Sequence, residues 1–122
     1  MNIGYHYIWD IHGCDTTKIS FEPDVKALLH ALIAQLQLTK VKAAFKQFQP
    51  KGVTGFILLE ESHISIHTWP EHQFAAIDLF SCKPIEASLL KPYLMEYFKA
   101  SDIQFSSLKR GSVPTPYLKQ SN

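Results

Sequence analysis

The sequence predicts an α+β fold, an antiparallel β-sheet with two helices packed on one face, on three observations. Four strand-like segments follow one another between Val41 and Cys82 with no helical pattern among them. An apolar stripe of helical period lies on either side of that block, and a further strand pattern stands near each end of the chain. With 122 residues and 46% hydrophobic content, there is material for one core and one domain spanning 1–122.

The segment Ile3 to Trp9 is aromatic and β-branched and reads as the first strand, ended by Gly13; a loop through Asp15 to Ser20 follows. Beyond Pro23, which a helix tolerates in its first turn, Val25, Leu28, Leu29, Leu32, Ile33 and Leu36 recur at helical spacing. Val41–Gln49 and Val53–Glu60 flank the turn Pro50-Lys51-Gly52, and His63–Trp69 and Phe74–Cys82 flank a turn at Pro70 and Glu71. Ile85, Leu89, Leu90, Tyr93, Leu94, Tyr97 and Phe98 predict a second helix that Pro92 starts, kinks or breaks. Ile103–Leu108 reads as the last strand, and Gly111, Pro114 and Pro116 mark a loose tail. Helices on one face leave the other needing cover. A second sheet packed face to face, in a homodimer of α/β/β/α layers, would supply it.

A net charge of +1 offers no broad attraction to nucleic acid or an anionic membrane, and Lys40, Lys42 and Lys46, interleaved with Phe45 and Phe48, read as a solvated face. No apolar run reaches membrane-spanning length and Met1–Trp9 lacks a secretory pattern, so the expected location is cytoplasmic, with Cys14 and Cys82 as free thiols. His6, His12, Cys14, His63, His67 and Cys82 contain neither a CxxC pair nor an HExxH helix, so no metal is expected.

The polar stretch Glu60 to Glu71 carries the candidate chemistry. Strand alternation puts Ile64 and Ile66 on one face and His63, Ser65, His67 and Trp69 on the other. Ser62, His67 and Cys82 supply a hydroxyl, a base that titrates near neutrality and a thiol. On residue types alone, the better reading is a half-exposed strand with solvated histidines and a packing cysteine. A Cys82–His67 hydrolase pair lacks a marker for an oxyanion hole.

The run Glu61-Ser62-His63 through His67-Thr68-Trp69-Pro70-Glu71, followed by Ile77-Asp78-Leu79-Phe80-Ser81-Cys82, resembles the bacterial and archaeal class of S-adenosylmethionine decarboxylase proenzymes. The resemblance extends back through Phe48, Pro50, Gly52-Val53 and Gly55, and more weakly to Gly4, His6 and Gly13-Cys14. It implies self-cleavage between Glu61 and Ser62 into a β chain, 1–61, and an α chain, 62–122. Ser62 would become a pyruvoyl group, the covalent cofactor, which forms a Schiff base with the substrate. His67 is then the processing base, Thr54 its support where the family more often has serine, and Cys82 the proton donor during turnover. Phe48, Trp69 and Glu71 would line the substrate site, with Phe48 and His67 near the adenine and Glu71 on the ribose. The implied reaction converts S-adenosylmethionine to its decarboxylated form and CO2 for spermidine synthesis, in a homodimer with sites near the interface. The aromatic start Gly4-Tyr5-His6-Tyr7-Ile8-Trp9, which has no basic residue between the glycine and histidine, admits ornithine or arginine as the substrate of the same chemistry. An unprocessed regulatory homologue is the remaining alternative.

Overall fold

The computed structural model describes residues 2–112. Six strands, β1 (Gly4–His12), β2 (Lys40–Gln47), β3 (Val53–Leu59), β4 (Ser62–Trp69), β5 (Phe74–Ser81) and β6 (Asp102–Arg110), form one sheet in the order β2-β3-β4-β5-β1-β6. Every neighbouring pair is antiparallel. The expected meander is therefore present from β2 to β5, and β1 is inserted between β5 and β6. The tail residues Pro114 and Pro116 lie outside the described residues.

Helix α1 (Glu22–Gln35) buries Val25, Leu28, Leu29, Leu32 and Ile33, the stripe that the spacing predicts, while Leu36 falls just past its end. Helix α2 (Lys91–Phe98) is shorter than the periodicity suggests. Residues Ala87–Leu90 form a 3-10 turn, and Pro92 stands in the first turn of α2, where its missing N–H removes no helical bond. Tyr97 Oη donates to the Asp24 carbonyl at 2.9 Å and links the two helices.

One face of the sheet meets both helices. Trp9, Ile11, Ile57, Ile64, Ile66, Ile77 and Leu79 point inward and join the helical side chains in a single buried cluster. Among the described residues nothing covers the other face: Phe56, Leu58 and Leu108 are 40%, 43% and 52% exposed on it. None of the described helices is long and apolar enough to cross a membrane.

Candidate active site

Strands β3 and β4 are joined by only Glu60 and Glu61, because Leu59 pairs directly with Ser62. So short a connection forces Glu61 into the left-handed region, φ 60°, which residues other than glycine rarely occupy. Backbone strain is thus held on the residue whose carbonyl precedes Ser62. That carbonyl oxygen accepts a hydrogen bond from the Cys82 thiol, with Sγ 2.7 Å away. Glu61, Ser62 and Cys82 share a cleft of about 310 Å³ with Gln37, Thr39 and Lys83.

A second cleft, about 290 Å³, lies at the far end of β4 and is lined by Phe48, Thr54, His67, Trp69 and Glu71, among others. Thr54 and His67 are directly opposed on β3 and β4, and Thr54 Oγ1 lies 3.3 Å from His67 Nδ1. The His67 and Trp69 rings stack at 6.1 Å, and Trp69 leans on Phe74 at 5.5 Å.

The eight sequence-derived candidates therefore fall into two groups. Glu61, Ser62 and Cys82 meet at one end of β4; Phe48, Thr54, His67, Trp69 and Glu71 meet at the other. Five steps of extended chain lead from Ser62 to His67, about 17 Å. Alternation also sets Ser62 in phase with the buried Ile64 and Ile66, and His67 in phase with the exposed Trp69. Within one protomer His67 does not reach the Glu61–Ser62 bond, and it forms no pair with Cys82.

The S-adenosylmethionine decarboxylase family model matches residues 5–111, a span that contains both clefts. The chain belongs to this family. It is 45% identical over 113 residues to the S-adenosylmethionine decarboxylase proenzyme of Sulfurihydrogenibium sp., covering 92% of this chain and 85% of that one. To the proenzyme of Pyrococcus furiosus it is 40% identical over 111 residues, covering 89% and 79%. Its fold superposes on a crystal structure of the adenosylmethionine decarboxylase from Aquifex aeolicus with a TM-score of 0.83 at 36% identity, covering 99% of this chain and 98% of that one.

In this decarboxylase-family chain, two residues that sequence reasoning passed over hold the second cleft together. Gln47 Oε1 accepts from the Glu22 N–H at 2.7 Å, and its amide nitrogen donates to the Ser20, Phe48 and Gly52 carbonyls, tying the Phe48 loop to the start of α1. Thr68, buried between His67 and Trp69, accepts from the Val53 N–H at 2.9 Å and donates to the Ile19 carbonyl at 2.7 Å. A polar residue in phase with buried isoleucines was the available signal for Thr68. Nothing in the sequence marks Gln47.

Cys14 is fully buried, and burial raises its thiol pKa to about 11. Cys82 is exposed in the first cleft. The two thiols thus have opposite surroundings.

Proposed function

We propose that this chain is a self-processing decarboxylase of S-adenosylmethionine, cut between Glu61 and Ser62 and active as a homodimer. The Cys82–Glu61 contact carries the reading. A serine hydroxyl attacks a peptide carbonyl only when the amide is activated and the oxyanion stabilised, and here a left-handed Glu61 and a thiol donor act on that same carbonyl. Ser62 Oγ adds to the Glu61 carbonyl carbon, the C–N bond breaks, and an ester to Ser62 remains. Elimination then frees the Glu61 carboxylate, and water releases ammonia from the dehydrated Ser62 to leave its pyruvoyl form. The half-buried Ser62, in a cleft that also holds a thiol and opens to solvent, fits that group. A pyruvoyl ketone supplies an electrophile for the substrate amine and an acceptor for the electron pair released with CO2.

The base is His67 of a second copy. In the tautomer whose Nδ1–H donates to Thr54 Oγ1, the Nε2 lone pair is free to take a proton. Because His67 and Ser62 lie at opposite ends of β4, two copies packed antiparallel through their open sheet faces would bring one protomer's His67 to the end of the other's β4 at which the Glu61–Ser62 peptide bond lies. The exposed Phe56, Leu58 and Leu108 support burial of that face. In the composite site, Phe48 and Trp69 offer ring faces for a purine, Glu71 a carboxylate for vicinal hydroxyls, and Cys82 a proton for the substrate carbon after CO2 leaves. The reading carries a cytoplasmic location, where thiols stay reduced, and a place in spermidine synthesis.

Intact-mass analysis tests it. The purified protein should give two fragments divided at Glu61/Ser62, with the second gaining a substrate-amine adduct under borohydride. Ser62→Ala should give one uncut chain. A folded wild-type protein that remains one polypeptide would sink the proposal.

A further inference from the structure

The hydrogen-bonded pairing of β4 with β5 ends at His63 and Phe80, which face each other on the open side of the sheet. Just beyond this last rung lie Ser62 on one strand and Ser81-Cys82 on the other. The end of a two-strand ladder frays unless side chains hold it, yet the Cys82–Glu61 contact depends on this end staying in place.

The side chains at the rung form a row of rings. The His63 imidazole stacks on the Phe80 ring at 6.0 Å and 16°, and Phe56 of β3 covers its other side at 5.4 Å. Beyond Phe80, the Arg110 guanidinium of β6 lies 6.0 Å from the ring centroid and the His6 imidazole meets it edge-on at 6.2 Å. Gly4 of β1 leaves the space that Phe80 occupies; a Cβ there would collide with the ring. Rings from four strands, and the gap that seats Phe80 among them, thus converge beside Ser62 and Cys82, with His63 one residue from Ser62 and Phe80 two from Cys82.

We infer that the Phe56–His63–Phe80 stack, seated over Gly4, is a positioning element for self-cleavage: it fixes the end of the β4–β5 ladder so that the Cys82 thiol stays on the Glu61 carbonyl. His63 acts in it as a flat ring and touches no reacting atom. The inference rests on the self-processing reading, and it adds a requirement on the face of the sheet away from the Ser62 side chain.

The test is the cleavage rate of freshly refolded proenzyme, followed by intact mass, for wild type, His63→Ala, His63→Phe and Gly4→Ala. Folding is checked by circular dichroism and oligomeric state by sedimentation. Loss of the ring in His63→Ala should slow cleavage about tenfold or more, since small misplacements of a reacting group carry penalties of that size. His63→Phe should restore a rate within about threefold of wild type, because a phenyl ring satisfies the same stack. Gly4→Ala, which displaces Phe80 without touching Ser62, should slow cleavage as His63→Ala does. Equal rates in all four overturn the inference, as does a folded His63→Phe as slow as His63→Ala, or a slowing that tracks dissociation of the dimer. If His63→Ala does not fold, the His63→Phe and Gly4→Ala rates decide alone. A wild-type chain that does not cleave would instead remove the self-processing reading itself.

Discussion

The Cys82 sulfur lies 2.7 Å from the carbonyl oxygen of Glu61, on the bond proposed to break. A thiol is a weak donor, but an oxyanion forming at that oxygen strengthens the bond as the reaction proceeds. Cys82→Ala should therefore still be cut, about ten to a hundred times more slowly than wild type, a loss at or below that of a stronger oxyanion-hole donor. Substrate turnover by the cut variant should fall further and release wrongly protonated product. A time course by intact mass checks the first part; unchanged cleavage would mean the contact is idle.

Placing Ser62 and His67 at opposite ends of one strand makes a prediction about mixtures. Ser62→Ala and His67→Ala should each remain uncut alone. Co-expressed, the His67→Ala chain should be cut, because its Ser62 meets the intact His67 of a Ser62→Ala partner. Mass spectrometry of the mixed dimer reads this directly, and a mixture in which neither chain is cut would rule out a site shared between copies.

The two cysteines should separate cleanly under alkylation. Cys14 is fully buried with its thiol pKa pushed up to about 11, so almost none is thiolate at pH 8, whereas Cys82 opens onto a cleft. Iodoacetamide on the native protein should add one label, at Cys82, and slow cleavage of any remaining proenzyme. Labelling of Cys14 at a comparable rate would contradict the buried environment.

Burial and the neighbouring His6 lower the His63 pKa, an effect that Asp78 partly offsets; Arg110 lies beyond Phe80, and Phe56 on β3 brings no charge. The unfolded chain then takes up a proton near the ordinary imidazole value of about 6.5, while the folded chain still resists it. The contribution of His63 to stability is present above that value and is lost as pH falls below it toward the folded pKa. Urea midpoints at pH 7.5 and 5.5 should fall more for wild type than for His63→Phe. Equal falls would dismiss His63 as a contributor.

Thr68→Val keeps the shape of the side chain and removes its hydroxyl from between the Val53 N–H and the Ile19 carbonyl. Two buried backbone groups lose a partner, a destabilisation of about 1–3 kcal/mol. The urea midpoint should drop accordingly without a change in m-value. An unchanged midpoint would show that these backbone groups find other partners.

Much of the fold was legible because its periodicities are long: the α1 stripe and the β2–β5 meander declare themselves in residue order. The second helix was overdrawn, since apolar spacing continues through Ala87–Leu90 while Pro92 confines the α-helical start to its own turn. The position of β1 between β5 and β6 carries no local signal, because it arises from distant pairings such as Trp9 with Ile77 and with Phe105, 68 and 96 residues apart. For the candidate site, the motif supplied the candidate residues but not their division into two clefts. Counting strand positions from Ser62 to His67 would have exposed that division. The roles of Gly4 and Phe80 were invisible in the same way, as a ring and the gap that admits it come from strands distant in sequence.

The order β2-β3-β4-β5-β1-β6 has a consequence for a chain opened at Glu61. Strands β1, β2 and β3 would belong to the first fragment and β4, β5 and β6 to the second, yet β1 lies clasped between two strands of the other piece. The fragments would meet along three hydrogen-bonded seams, β3/β4, β5/β1 and β1/β6. Neither holds a complete sheet, so the severed halves should co-purify without any covalent link. Once denatured, they should regain structure at a rate that depends on their concentration, where the uncut parent does not.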